Sequence, residues 1–375
     1  MSAHTESRFD AGIYGKRLER AAELTRAAHL DALLITPGPD LRYLLGSSAQ
    51  SFERLTCLVV PASGETPSVV VPQLELASLA DSAAGELGIH LVPWVDGVDP
   101  YGVVKSTLNA GARVAVDDAM PALHLLPIAD ALTALPVSAT PILRRIRMIK
   151  DGAEIDALRR AGAAIDRVHA RMGEWLRAGR TEAEVAADIK AAIVAEGHEY
   201  PDFVIVGSGP NGADPHHAES ERVIESGDVV VVDIGGPVAP GYFSDSTRTY
   251  AVGEPAPEIA EAYAALERAQ AAAVAAVRPG VTAESVDAAA RDLLSEAGFG
   301  AAFIHRTGHG IGLSVHEEPY IVAGNGSVLE AGMAFSIEPG IYFRGEWGAR
   351  IEDIVIVTED GGEAVNRRPH ALVVL

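Results

Sequence analysis

Five side chains in the carboxyl-terminal half have the types and spacing of a metal centre: Asp233, Asp245, His309, Glu338 and Glu352. Asp233 ends the β-branched run Val229–Val232, a turn rich in proline and glycine follows, and a second strand carries Asp245. A hairpin centred near Ala239 sets the two carboxylates directly opposite one another, with Cβ atoms roughly 5 Å apart. Two bare carboxylates that close in a sheet interior repel each other and lose hydration, unless a proton or a cation sits between them. Met333–Glu338 is a second apolar run, stopped by Pro339 and Gly340, and Arg350–Thr358 is its partner strand. Centred near Gly345, that hairpin faces Glu338 with Glu352. Between the two hairpins lies Gly308-His309-Gly310-Ile311-Gly312, with His316 further on. Two aspartates, two glutamates and one histidine form an oxygen-rich set, suited to Mn²⁺, Co²⁺ or Zn²⁺ rather than to a thiolate-type structural zinc site. Four carboxylates also exceed the charge of one divalent ion, which favours two ions sharing bridging carboxylates.

The elements that must bring these groups together form a weak repeat in element order. Ile146–Leu176 reads as one long helix, with Ile155, Leu158, Ala161 and Ile165 on a common face. The basic residues at its start (Arg144, Arg145, Arg147, Lys150) oppose the helix dipole and are offset by Asp151 and Glu154. Thr181-Glu182-Ala183-Glu184 is a capping box that opens a second helix ending at Gly197. A strand and the Asp-bearing hairpin complete residues 151–250. Residues 256–358 repeat the order: an alanine-rich helix, a helix opened at Thr282, a strand near Ala302–His305, then the Glu-bearing hairpin. Each half thus delivers a carboxylate pair from the same place in the unit.

Residues 9–145 read as a compact α/β unit. Ile13–Ala28 has helical spacing, a strand covers Ala32–Thr36, and Pro37-Gly38-Pro39-Asp40 is a turn. Thr56–Pro61 and Ser68–Pro72 form a hairpin. Leu74–Glu86 resumes helix, His90–Val95 and Arg113–Asp117 are short strands, and Leu123–Leu135 is a helix interrupted by Pro127. No catalytic constellation assembles in this half; His90 and His124 are expected as packed or solvated side chains. Pro136–Pro141 is the expected junction, giving domains of 1–145 and 146–375.

The chain has 375 residues and a formal net charge of −22, which argues against nucleic acid or an anionic membrane as a partner. No run is long enough to span a bilayer. Met1–Arg8 is polar and lacks the apolar core of a signal peptide. Cys57 is the one cysteine, so no internal disulfide forms, and its apolar setting marks it as a buried strand residue. A cytoplasmic enzyme is the resulting expectation. The stretch Gly207–Gly212 lacks the Gly-Lys-Ser/Thr ending of a phosphate loop, and Ser208 is not in a Gly-x-Ser-x-Gly elbow.

These segments resemble one family, the pita-bread metallopeptidases, which include methionine aminopeptidase, aminopeptidase P and prolidase. The matching stretches are Ser208–His216, Val232–Gly235, Ser244–Thr249, Gly308–Gly312, Val315–Glu317, Ile337–Gly340 and Arg350–Asp353. The resemblance implies an α+β chain, with a pita-bread catalytic domain preceded by a smaller creatinase-type α/β domain. The presence of that first domain points to the Xaa-Pro-cleaving branch. By similarity Asp233 binds one ion, Asp245 and Glu352 bridge both, and His309 and Glu338 complete the second. Mn²⁺ is the expected metal, with Co²⁺, Zn²⁺ and Fe²⁺ as alternatives. Two cations lower the pKa of a bridging water, so that hydroxide is available as nucleophile near neutral pH, and they polarise the scissile carbonyl. Glu338 then relays the proton towards the leaving nitrogen, while His216 and His316 hydrogen-bond the substrate or its oxyanion. Of the adjacent pair His216 and His217, the resemblance favours His216. Arg350, two residues from Glu352, shares its strand face and anchors a carboxylate or steadies the ligands. Asp353 points to the opposite face. A homodimer and a small peptide substrate with proline after the scissile bond are also implied.

Two departures qualify the resemblance. The interval from Asp233 to Asp245 is twelve residues, one longer than in many prolidases, with the extra residue expected in the turn Pro237–Gly241 and the opposed pair intact. Tyr320 stands where some prolidases carry an arginine that holds the substrate's terminal carboxylate. Aminopeptidase P-like cleavage of longer peptides therefore stays open beside the Xaa-Pro dipeptidase. Hydrolysis of a non-peptide C–N bond and a non-catalytic binding module are the further alternatives; a binding module would carry no stoichiometric metal.

Overall fold

The structure, a computed structural model, describes residues 8–50 and 53–375. All of the polar stretch Met1–Arg8 except Arg8 lies outside the described residues. The chain divides into two compact units after Arg147, the second running Met148–Leu375. Pro136–Pro141 is therefore internal to the first unit and not its boundary: Val137–Ser138 is a strand of that unit's sheet and Thr140–Met148 is helical.

The first unit is built on six strands, β1 (Ala32–Ile35), β2 (Cys57–Pro61), β3 (Ser68–Pro72), β4 (His90–Trp94), β5 (Val114–Val116) and β6 (Val137–Ser138), in the order β4-β3-β2-β1-β5-β6. The antiparallel hairpin β2–β3 is present, and β4, β5 and β6 join in parallel. Leu34, Val59, Val70 and Val114 lie in its core, and Cys57 is fully buried among them. His90 is exposed, while His124 is buried with Nδ1 3.2 Å from the Tyr101 hydroxyl. Two expectations fail here. Pro39 opens a short helix, Pro39–Leu45, rather than sitting in a turn, as suits proline at a first helical position. Leu74–Glu86 is not a helix; a 3-10 turn covers Gln73–Leu79 and stops. Ser82 Oγ donates to the Leu79 carbonyl and accepts from Ala84 N–H, which offers the backbone an alternative to continuing the helix.

In the second unit the expected long helix is split into Thr140–Met148, which begins in the first unit, then Gly152–His169 and Met172–Trp175. The break has a local cause. Asp151 caps Gly152–His169 in a reciprocal box with Glu154, and Lys150 N–H donates to the Gly332 carbonyl instead of continuing the spiral. The capping box at Thr181 opens Glu182–Ala195. Strands β7 (Phe203–Ser208), β8 (Val229–Val238) and β9 (Tyr242–Ala251) follow. After helices Pro257–Ala276 and Ala283–Glu296 come β10 (Gly308–Gly310), β11 (Glu317–Ile321), β12 (Ala334–Ile337), β13 (Gly340–Phe343), β14 (Trp347–Arg350), β15 (Asp353–Thr358), β16 (Gly361–Ala364) and β17 (Val373–Val374). No strand forms at Ala302–His305. Gly300–Ala302 is a 3-10 turn, and the carbonyls of Phe303 and His305 accept from the Arg291 guanidinium rather than from a sheet neighbour.

The repeat in element order has a counterpart in packing. One apolar cluster joins Ile165, Val185, Ile189, Val230, Val232 and Ile234, and a second joins Leu266, Val286, Phe335, Ile337, Val355 and Val357. Each half therefore closes its own core between a helix pair and one face of its sheet. Successive side chains in a strand point to opposite faces, so Asp233 on β8, and Glu338 and Glu352 at the ends of β12 and β15, fall on the faces turned away from those cores. Among the described residues no helix is long and apolar enough to cross a membrane.

Candidate metal centre

The register of the first hairpin corrects one expectation. Val238 pairs with Tyr242, so the turn is Ala239-Pro240-Gly241, with Gly241 at a positive φ of 102°. The centre moves one residue along. Asp233 then faces Thr247, and Asp245 faces Gly235. The two aspartates are diagonal neighbours on one face, a separation of roughly 7–8 Å between Cα atoms, and not a directly opposed pair. The second hairpin follows the register centred on Gly345: Gly340 pairs with Arg350, and Ile337 with Asp353. Glu338 and Glu352 sit at the break between those two ladders and face the same space.

His309 enters from β10, which lies between β11 and β12. The glycines around it are required by that position. A Cβ on Gly308 would meet the Ser336 carbonyl at 1.8 Å, and one on Gly310 would meet the Glu318 carbonyl at 2.3 Å. The imidazole Nδ1 donates to the Gly310 carbonyl at 3.1 Å, which fixes the tautomer and leaves a lone pair on Nε2. Nε2 lies 3.3 Å from Glu338 Oε1 and 3.5 Å from Asp245 Oδ2. Burial, followed by the neighbouring His316, lowers the His309 pKa to about 3, so the ring is neutral.

A shell of hydrogen bonds orients the carboxylates. Arg350 Nη2 donates to Asp233 Oδ2 at 2.6 Å, and its Nη1 donates to the Tyr342 hydroxyl at 2.7 Å. The Thr247 hydroxyl donates to Glu352 Oε2 at 2.7 Å and accepts from Arg350 Nε at 3.0 Å. Ser336 Oγ accepts from His309 N–H and donates to Glu338 Oε1, each at 3.0 Å. Asp353, by contrast, turns away: it accepts from Arg248, Gln270 and His370.

Three observations test whether these residues fit divalent cations. Asp233 Oδ1 is buried with no hydrogen-bond partner. Ligand atoms of Asp245, His309 and Glu352 all lie within 4.8 Å of one another, on three buried residues. Burial and then the adjacent acids push Asp245 and Glu352 well above the usual carboxylate range, and burial brings Glu338 up to about 7. Lone pairs converge and positive charge is wanted at one place. The donor set fits hard or borderline divalent ions.

The cavity in front of these groups has a volume of about 630 Å³. His216 is exposed and lines it, as does His316, whose ring centroid is 4.1 Å from that of His309. His217 is turned elsewhere, with Nε2 2.8 Å from Glu182 Oε2. The structure adds residues that sequence reasoning passed over. His305 and Arg306 also line the cavity. His305 donates from Nδ1 to the Arg306 carbonyl at 2.7 Å and presents Nε2 to the Tyr342 hydroxyl at 2.9 Å. Their signal was proximity to Gly308-His309-Gly310, hidden by the assignment of Ala302–His305 to a strand. Thr247 was hidden because its role depends on the true register.

Residues 17–149 match the creatinase/prolidase N-terminal domain, and residues 156–359 match metallopeptidase family M24. The chain is 66% identical over 369 residues to a probable dipeptidase PepE of Mycobacterium tuberculosis, covering 98% of each sequence. It is 34% identical to an Xaa-Pro dipeptidase of Lactobacillus helveticus over 92% of this chain and 95% of that one. The crystal structure of dipeptidase PepE from Mycobacterium ulcerans superposes with a TM-score of 0.94 at 65% identity, covering 98% of this chain and 99% of that one. With a creatinase-type domain ahead of an acid-rich pita-bread domain, this chain belongs to metallopeptidase family M24.

Proposed function

We propose that this chain is a metal-dependent dipeptidase that hydrolyses the Xaa-Pro bond of dipeptides in the cytoplasm, holding two divalent ions, Mn²⁺ foremost, and acting as a homodimer. The observation that carries this reading is the convergence of Asp245, His309 and Glu352 with the unpartnered Asp233 Oδ1. The names of the mycobacterial and lactobacillus relatives support the peptide substrate.

Asp233, Asp245, His309, Glu338 and Glu352 would hold the ions, whose contribution when bound is to acidify water and polarise the scissile carbonyl. The remaining work falls to side chains. Hydrolysis adds water's hydroxyl to the carbonyl carbon and its proton to the proline nitrogen as the C–N bond breaks. Glu338, held by Ser336 at the cavity wall, takes the proton from the attacking water and delivers it to that nitrogen. His216 and His316 reach the cavity and hydrogen-bond the substrate or the tetrahedral oxyanion. Arg350 keeps Asp233 in one orientation, so that Oδ1 is the oxygen offered for coordination.

The test is reconstitution of purified protein with Mn²⁺, Co²⁺, Zn²⁺ or Fe²⁺, metal analysis, and a panel of Xaa-Pro dipeptides and Xaa-Pro-Yaa tripeptides. The expected result is stoichiometric metal, chelator-sensitive cleavage and faster turnover of dipeptides. Faster tripeptide cleavage would assign an aminopeptidase P-like activity, and a protein without bound metal or peptide turnover would be a binding module.

A further inference from the structure

Two guanidinium groups face the cavity, and they are in opposite situations. Arg350 is buried and fully committed to Asp233, Tyr342 and Thr247. Arg306 is half-buried, and among the described residues its guanidinium has no carboxylate or hydrogen-bond acceptor. What holds it is the ring of Tyr320: Arg306 Cζ lies 4.5 Å from the ring centroid. A guanidinium stacked on an aromatic face keeps its N–H groups directed outward in its own plane, where a carboxylate can accept two of them at once. Arg306 lines the same cavity as Asp245, His309, Glu338 and Glu352, so it faces the same space as the acid cluster.

This arrangement matters for the length of the substrate. In a dipeptide the free carboxylate is attached to the α-carbon next to the scissile nitrogen, so it must lie in the same cavity as the reacting bond. In a longer peptide a neutral amide takes that place. We propose that Arg306, braced on Tyr320, binds the carboxyl-terminal carboxylate of the dipeptide and is the specificity-determining residue for substrate length. The inference rests on the dipeptidase reading above. It identifies which side chain makes the selection.

The experiment compares Ala-Pro with Ala-Pro-amide, two substrates that differ only in the charge Arg306 would meet. Metal-reconstituted wild-type protein is measured beside Arg306→Gln and Arg306→Lys, with metal content and circular dichroism recorded for each. Arg306→Gln is expected to raise KM for Ala-Pro about 10- to 100-fold, the usual range for a lost charge-assisted hydrogen bond, with kcat little changed. KM for Ala-Pro-amide should stay where it was, and Arg306→Lys should recover part of the loss on Ala-Pro. An equal loss on both substrates, or no loss on either, overturns the assignment while leaving the dipeptidase reading intact. Wild-type protein that carries its metal and cleaves neither substrate overturns the dipeptidase reading, and the assignment with it.

Discussion

Arg350 donates to one oxygen of Asp233, Oδ2, at 2.6 Å and leaves the other, Oδ1, buried without a protein partner. A carboxylate clamped in this way has its free oxygen fixed before any ligand arrives. Arg350→Lys keeps the charge but cannot supply the contacts to Asp233, Tyr342 and Thr247 together. It is expected to weaken metal binding about 10- to 100-fold, as loss of groups that orient metal ligands commonly does. Competition of the bound metal against a fluorescent chelator measures this directly, and an unchanged affinity would remove Arg350 from the ligand-orienting role.

Glu352→Gln separates the two effects of the acid cluster. Burial and the neighbouring Asp245 hold the Glu352 carboxyl well above its usual range, so the charged form is a burden to the metal-free fold. Gln keeps the size and still accepts from Thr247. The variant is expected to be more stable than wild type by about 1–2 kcal/mol in excess chelator, near the gain seen when buried charges are neutralised. It should gain less from added Mn²⁺ than wild type, whose stabilisation is about 4 kcal/mol at a thousandfold excess of metal over Kd. Thermal melts with and without metal check both signs, and turnover should fall at least about 100-fold. Unaltered turnover would exclude Glu352 as a ligand.

Stability should decline in acid because of His169. Its ring is buried, Nε2 donates to the Ser246 carbonyl at 3.1 Å, and Nδ1 lies 2.9 Å from the Tyr250 hydroxyl. Burial, then the charge of Arg248, lowers its pKa from 6.5 to about 3. The native ring stays neutral where the unfolded one becomes charged, so its contribution is intact above pH 6.5 and is lost as the pH falls towards 3. At pH 5 the loss is about 2 kcal/mol. His169→Gln should be less stable at pH 7.5 yet show a shallower decline to pH 5. Urea melts in excess chelator test this, and parallel pH curves for the two proteins would refute it.

Glu182 holds the segment that carries His216. It is fully buried and accepts from Ser208 N–H at 2.7 Å, Ser208 Oγ at 2.6 Å, Asn211 Nδ2 at 3.0 Å and Ser220 Oγ at 2.5 Å, with His217 Nε2 at 2.8 Å. Glu182→Ala strands these donors and should cost about 3–5 kcal/mol in denaturant melts. His217→Ala removes one of them and should cost about 1–3 kcal/mol. A neutral result for Glu182→Ala would show that the loop is held by other contacts.

The convergence of acids and a histidine was legible because its signals are local and chemical: an apolar run ending in an acid, or a histidine between glycines, survives without knowledge of the fold. The face of each strand was legible too, since alternation fixes it. What was not legible depends on competition between backbone partners. The Asp233–Asp245 register turned on one residue of a three-residue turn. The long helix broke where Asp151 and Glu154 cap each other and Lys150 N–H bonds the distant Gly332 carbonyl. Arg306 escaped notice because nothing in the order of residues reveals that it stacks on Tyr320.

The two apolar clusters of the second unit have a further consequence. Each half is glued by its own hydrocarbon, whereas the seam between the two sheets is polar, with its buried acids held by Arg350 and Thr247. A cation bound there would act as a rivet, adding to the hydrogen bonds by which Arg350 and Glu352 already reach Asp233 and Thr247 across that line. Supply of metal would then govern not only whether the enzyme turns over but also how firmly its two halves hold together.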